Sequence, residues 1–249
     1  MAVHGTHNAV QDDRNDNILI YVNGELFPRN EAKISVFDSG YLVGDGIWEA
    51  LRLYDGVLVF LDEHLNRLWQ AAATVGMDMK MTRAELTEKI WHTLKANNMH
   101  DGVHVRFMVT RGTKKTPSQD PRLVLTGPNL VIIPEYKLAS PDSRNRGVTL
   151  FTSTIRRGSP DYLDPRLNCH SKLHEVMALV QAIEAGADWR CSWRPNGSLP
   201  RHFRAWSPNS MRKRFASCHR FVSALRYRTS CPVETPRCPA ASAVEPPQA

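Results

Sequence analysis

What most restricts the folding of this chain is a change of character after Asp188. Up to that residue, apolar side chains recur at the spacings of strands and helices. Over residues 189–249 they recur at no useful spacing. That stretch carries eleven Lys or Arg against two Glu, four of the five cysteines and eight of the sixteen prolines. Proline at that density sustains neither a helix interior nor a central strand. The pattern therefore predicts a folded part ending at Asp188 and a disordered tail over 189–249. So abrupt a replacement is also what translation out of frame, or into an intron, produces.

The formal net charge of +7 would by itself invite a nucleic-acid partner. Its placement argues against one, because the tail carries +9 and residues 1–188 carry −2. The basic run over 212–228, with Phe215, Phe221 and Tyr227 interleaved, reads as solvated chain rather than as a nucleic-acid surface. His219, Cys231 and Cys238 lack the Cys-x-x-Cys spacing of a zinc site, so no metal is expected. No run approaches eighteen apolar residues, so no membrane span is expected. Residues 1–17 hold Asp12, Asp13 and Asp16, and have neither the apolar core of a signal peptide nor an Arg-rich, acid-poor composition. The expected location is the cytoplasm.

Within residues 17–188 the elements read in order. Residues 18–22 form a strand ending at the hairpin dipeptide Asn23-Gly24. A second hairpin runs over 47–61 and turns at Asp55-Gly56. Leu61, Leu65, Leu68, Trp69, Ala72 and Val75 then recur at helical spacing, with Asp62 as cap and Gly76 as stop. Thr82-x-x-Glu85 is a capping box opening a helix through Leu86, Ile90, Trp91 and Leu94. Strands are expected over 104–110, 123–125 with 130–133, and 148–154. A last helix is expected over 171–185, with Leu173, Val176, Met177, Val180 and Ile183 as its apolar side and Gly186 as its end. The fold class is α+β, a mixed α/β chain. Its parts are a flexible start over 1–16, an N-terminal domain over 17–136, a linker over 137–146 and the beginning of a second, incomplete domain over 147–188.

The densest local feature is the string Phe37-Asp-Ser-Gly-Tyr41-Leu-Val-Gly-Asp-Gly46-Ile-Trp48-Glu-Ala-Leu-Arg52-Leu-Tyr54-Asp-Gly56. Four glycines and four acids allow a backbone to approach a ligand closely, and they serve sharp turns equally well. Arg67 lies on the polar side of its helix, where a solvated guanidinium is the ordinary state and a phosphate ligand the alternative.

Asn23-Gly-Glu, Phe37-Asp-x-Gly40, Gly44-Asp-Gly46-Ile-Trp-Glu49, Arg52-x-Tyr54-x-Gly56 and Leu61-x-x-His64-x-x-Arg67-Leu68 together resemble, in order and spacing, the N-terminal domain of class IV aminotransferases. Val109-Thr-Arg-Gly112 resembles the D-amino-acid branch of that family and its aminodeoxychorismate lyases. Ser153-Thr-Ile-Arg-Arg157 and Leu163-Asp-Pro-Arg-Leu167 resemble the opening of the cofactor-binding domain. The resemblance spans about residues 17–188. It implies a two-domain class IV fold, pyridoxal 5'-phosphate (PLP) as cofactor, an amino acid and a 2-oxo acid as partners, and a homodimer. It also implies that Arg67 holds the PLP phosphate, that Tyr41, Trp48 and Tyr54 line the substrate side, and that Arg106 and Arg111 meet a substrate carboxylate. For each of these, packing or solvation is the plain alternative.

In the family, the lysine that bonds to PLP follows a Pro-Arg-hydrophobe triplet. Here Pro165-Arg166-Leu167 is followed by Asn168, whose carboxamide cannot do so. Lys172, one helical turn on, is the candidate catalytic residue, since no other lysine occurs between Lys137 and Lys213. The acid that pairs with the pyridine nitrogen and the glycine-containing phosphate cradle have no counterpart after Trp189. The expectation is therefore a PLP-dependent transaminase of branched-chain or D-amino acids. The rivals are a catalytically inactive homologue serving as a binding or dimerising module, and an aminodeoxychorismate lyase-like enzyme.

Overall fold

The computed structural model of this protein describes residues 11–138 and 147–192. Residues 1–10, most of the expected linker and the expected tail from 193 onward lie outside the described residues. Two bodies are distinguished, residues 11–137 with 166–171, and the described residues of 138–165 and 172–240.

The first body is a six-stranded antiparallel sheet with two long helices. Its strands are β1 (Leu19–Val22), β2 (Glu25–Pro28), β3 (Gly46–Tyr54), β4 (Val57–Val59), β5 (Val103–Thr110) and β6 (Asn129–Tyr136), in the order β2-β1-β6-β5-β3-β4. Both hairpin dipeptides turn as the sequence predicts. Asn23 and Gly24 take φ 50° and 114°, and Asp55 and Gly56 take 46° and 77°, the positive values a tight two-residue turn demands. The short helix α1 (Ser39–Val43) precedes β3, and α2 (Leu61–Thr74) and α3 (Arg83–Ala96) follow β4. The Thr82–Glu85 capping box opens α3. Asp62 is not the cap of α2. Phe60 occupies that position in a left-handed conformation, and Asp62 and Glu63 sit in the first turn, where the helix dipole favours acids.

The core lies between the sheet and these helices. Leu51, Leu53, Val105, Phe107 and Ile132 from the strands meet Leu65, Leu68, Leu86, Ile90 and Leu94, all buried. Alternation along β3 sends Ile47, Glu49, Leu51 and Leu53 into this core and Trp48, Ala50, Arg52 and Tyr54 to the other face. One edge of β3 is only partly covered, because β4 pairs with Arg52–Tyr54 alone. Residues 168–170 occupy the remainder. Asn168 O accepts from Trp48 N at 2.8 Å, and His170 N donates to Gly46 O at 2.9 Å.

Four boundaries differ from the sequence reading. Residues 123–125 are not a strand. Pro121–Leu123 is a 3-10 turn capped by Asp120, and Val124 makes only an isolated bridge to Lys114. β6 runs on to Tyr136, three residues past the expected strand end at Ile133. Order also begins before Asn17, since the Asn15 carboxamide both donates to Tyr136 O and accepts from Tyr136 N, each at 2.8 Å. In the other direction, residues 189–192 form a strand.

The described part of the second body is a β-α-β unit, β7 (Leu150–Ser153), α4 (Leu173–Glu184) and β8 (Trp189–Ser192), with β7 and β8 parallel. Parallel neighbours need a crossover, and α4 supplies it. The helix packs on its strands through Ala178 and Ala182, both fully buried. The larger apolar side chains expected to face a core, Leu173, Val176, Met177, Val180 and Ile183, are exposed instead.

Candidate functional site

Glu49 lies on a core-facing position of β3 and is 1% exposed. An isolated carboxylate there would cost far more than its strand could offset. The facing helix α2 provides the partners. His64 and Arg67, three residues apart on one side of α2, both reach it. Arg67 Nε donates to Glu49 Oε1, Arg67 Nη2 donates to Oε2 at 2.6 Å, and His64 Nδ1 lies 2.8 Å from Oε2. Burial pushes the Glu49 carboxyl up, but the hydrogen bonds from Arg67 and His64 outweigh it and hold the group below the usual carboxylate range. The hydrogen bonds to Glu49 in turn raise Arg67. The Arg67 side chain stays 47% exposed, and Nη1 has no partner among the described residues.

On the other face of β3, Arg106 of β5 stacks on the Trp48 ring at 4.3 Å. Burial lowers Arg106 against an opposing pull from Glu135, and among the described residues no carboxylate lies within ion-pair distance of it. A half-buried, stacked guanidinium without a counter-ion is suited to an incoming carboxylate. Trp48 Nε1 donates to Cys169 O at 3.1 Å, which fixes the ring against the segment over 168–170. His170 sits beside it. Burial lowers this imidazole, Asp38 raises it, Arg106 lowers it and Asp45 raises it. Its Nε2 is buried with no partner among the described residues.

Two glycines make room for that ring. A Cβ on Gly40 would lie 2.8 Å from His170 Nδ1, and one on Gly46 would lie 2.9 Å from the same ring. Asp38, fully buried, ties the neighbourhood together. It accepts from Gly40 N at 2.8 Å, from Thr110 Oγ1 at 2.6 Å and from Asn129 Nδ2 at 2.6 Å. The Phe37-Asp-x-Gly40 string is thus a cap and an anchor as well as a turn.

The other sequence candidates are placed as follows. Tyr54 ends β3 on the Trp48 face, and Tyr41 on α1 is 72% exposed. Arg111 is occupied. It donates from Nε to Asp45 Oδ2 at 2.6 Å, from Nη2 to Asp45 Oδ1 and Val75 O, and from Nη1 to Gly76 O at 2.8 Å. Its guanidinium ties a loop together, so it has little left for a substrate. In the second body, Lys172 immediately precedes α4, with Nζ 3.7 Å from Glu175 Oε1, and Arg190 Nη2 holds Oε2 of the same acid at 3.0 Å. Asn168 contributes its backbone carbonyl to β3. Glu49 and His64 enter the sequence reading only as motif residues without a role, and His170 is not named in it at all. Glu49 had a signal, namely an acid at an inward position of a strand flanked by Ile47, Leu51 and Leu53. His170 had none, because the glycines that seat its ring, Gly40 and Gly46, lie more than a hundred residues away in the chain.

A family model described as "Amino-transferase class IV" matches residues 46–199. The chain is 37% identical over 174 residues to "Branched-chain-amino-acid aminotransferase-like protein 2" of Arabidopsis thaliana, covering 70% of this chain and 31% of that protein. It is 31% identical over 169 residues to the D-alanine aminotransferase of Bacillus licheniformis, covering 68% and 57%. The branched-chain amino acid aminotransferase of Thermobaculum terrenum, solved in its PLP form, superposes with a TM-score of 0.60 at 17% identity, covering 74% of this chain and 61% of that one. This chain therefore spans between about a third and three-fifths of the length of these proteins. The matched region also passes Asp188, the point where the residue pattern alone places its end.

Proposed function

The chain belongs to the class IV aminotransferase family, and on that premise we propose that it is a PLP-dependent transaminase moving an amino group between a branched-chain or D-amino acid and a 2-oxo acid. The observation that carries this reading is Arg106, a half-buried guanidinium stacked on Trp48 with no counter-ion among the described residues. Both proposed substrates present a carboxylate, and a planar, bidentate donor is suited to one.

By the family pattern, Arg67 of the first body, held by Glu49 through Nε and Nη2, is the candidate for the PLP phosphate, and Lys172 of the second body, paired with Glu175, is the candidate for bonding to the aldehyde. When bound, PLP supplies an electron sink that loosens the bonds at the substrate's α-carbon. The chain's own contributions are orientation and charge. Arg67 carries a fixed positive charge toward a dianion, Trp48 and Arg106 present a flat cationic surface, and Tyr41 and Tyr54 remain candidates for substrate contact. Ile34, Val36, Phe37 and Tyr41 expose apolar surface within eight residues, which supports the homodimer that the family implies.

The test is titration of the purified protein with PLP, following the visible absorption of protein-attached cofactor, then assay with L-leucine or D-alanine and 2-oxoglutarate. The wild type is expected to show the band and Lys172→Ala to lose it. A wild type without the band overturns the transaminase reading, and a band that survives Lys172→Ala overturns the assignment of the lysine. One observation favours a second reading. Asn168 stands where the family places its lysine, which fits a homologue that binds without catalysing. For that reading the expected result is no band and no amino transfer.

A further inference from the structure

We propose that Glu49 is the positioning residue of the phosphate anchor, holding the Arg67 guanidinium by its Nε and Nη2 so that Nη1 is left to a bound phosphate. This rests on the reading of Arg67 as that anchor, and adds what orients it. Arg67 sits on a flexible three-carbon stem and is half exposed, so without a partner its guanidinium samples many rotamers and loses that freedom on binding a ligand. Glu49 removes that freedom beforehand. It is rigid itself, being a buried residue in the middle of a strand that pairs with β5 from Gly46 to Leu53. Its two oxygens accept from two adjacent nitrogens of the guanidinium, which fixes the plane and not merely the position of the charge. His64 Nδ1, at 2.8 Å from Oε2, fills the same carboxylate from the preceding turn of α2. The acid therefore has its partners on one helix and turns one known side of Arg67 outward.

The arrangement has a cost that makes it testable. A carboxylate behind the guanidinium also reduces the net positive field seen by a phosphate. If charge alone governed binding, removal of Glu49 would tighten it. If orientation governs, removal weakens it, and only for ligands that carry the phosphate.

The experiment measures dissociation constants of PLP and of pyridoxal, which lacks the phosphate, by quenching of tryptophan emission at 0.15 M salt, where the Debye length is about 8 Å. The proteins are the wild type, Glu49→Gln, Glu49→Asp, Arg67→Lys and the double variant Glu49→Gln/Arg67→Lys. Glu49→Gln is expected to weaken PLP by about tenfold and to leave pyridoxal nearly unchanged, as loss of one charge-assisted alignment implies. Glu49→Asp keeps the charge but withdraws it by one methylene, and is expected to fall between. It also carries the test if Glu49→Gln fails to fold. In the Arg67→Lys background, Glu49→Gln is expected to add nothing further. A PLP affinity unchanged or tightened in Glu49→Gln, or an equal loss for pyridoxal, overturns the proposal while leaving Arg67 as anchor. An Arg67→Lys variant that binds PLP as the wild type does overturns both.

Discussion

Removing either partner from the Glu49–Arg67 pair has unequal consequences, because the two ions sit in different surroundings. Glu49 is 1% exposed and Arg67 47%. Arg67→Ala leaves a buried carboxylate with His64 as its remaining partner, and is expected to destabilise the fold by about 3–5 kcal/mol. Glu49→Gln leaves a guanidinium that water can reach, and is expected to cost clearly less. Chemical denaturation of the two variants checks the order, and the reverse order would show that Glu49 is not an ion in the folded state. The pH dependence has a definite sign. The folded carboxyl lies below its unfolded value, so its contribution is complete above the unfolded pKa, about 4.3, and is lost as pH falls through the folded one. The wild type is expected to lose stability steeply below about pH 4.3, and Glu49→Gln to lose less of it there. At this scale the sequence was half legible. Parity along β3 places Glu49 inward, and a three-residue spacing puts His64 and Arg67 on one side of α2, but which helix covers which strand is a tertiary fact.

The contact between residues 168–170 and the open edge of β3 depends on side chains that are absent. Gly40 and Gly46 leave the space that His170 fills, and a methyl on Gly46 would meet the ring at 2.9 Å. The ring is hemmed by both glycines, so it has little room to yield. Gly46→Ala is expected to detach the segment, exposing the amides of Trp48 and His170 that bond across the edge. Hydrogen exchange at those two amides reads this directly, and unchanged protection would mean that His170 is not what seats the segment. The same contact is expected to respond to acid. The folded imidazole lies below its unfolded value, so the contact is at full strength above about pH 6.5 and weakens as pH falls through the folded pKa. The groups facing the ring are Asp38 and Asp45, which favour its protonation, and Arg106, which opposes it. Protection of the His170 amide is expected to drop between neutral pH and pH 5, and His170→Gln to flatten that drop. Local pattern could not foresee this element. The hairpins, the capping box and both long helices are written in consecutive residues, whereas residues 168–170 pair with a strand some 120 positions earlier. Residues 123–125 show the converse failure, where an apolar triplet reads as a strand until Pro121 and the Asp120 cap turn it into a 3-10 turn.

At the scale of the whole molecule, the described parts of the two bodies differ in how much apolar surface they hide. The first buries a continuous core between a six-stranded sheet and two helices. The described part of the second packs one helix on two strands through alanines, while Leu173, Val176, Met177, Val180 and Ile183, between 46% and 72% exposed, face outward. Helical periodicity identified that apolar side correctly as a stripe but not its direction, since period alone does not say which side of a helix a sheet takes. Small residues buy close approach to the strands, and Ala178 and Ala182 occupy that side. Each large side chain left in water forgoes about 1.5–3 kcal/mol of burial, so the β-α-β unit has far less than the first body with which to oppose chain entropy. The two are expected to open separately. Native-state hydrogen exchange should give amides of β5 and β6 the greatest protection and those of β7, α4 and β8 protection lower by orders of magnitude, with a sub-global opening visible at low denaturant. Met177→Lys or Val180→Lys, each on the exposed side, is expected to leave that protection within about 0.5 kcal/mol of wild type, whereas Ala178→Leu is expected to lower it through overpacking against the strands. Equal protection in both bodies, or strong destabilisation by the two lysine variants, would mean that the outward side of α4 is covered in solution.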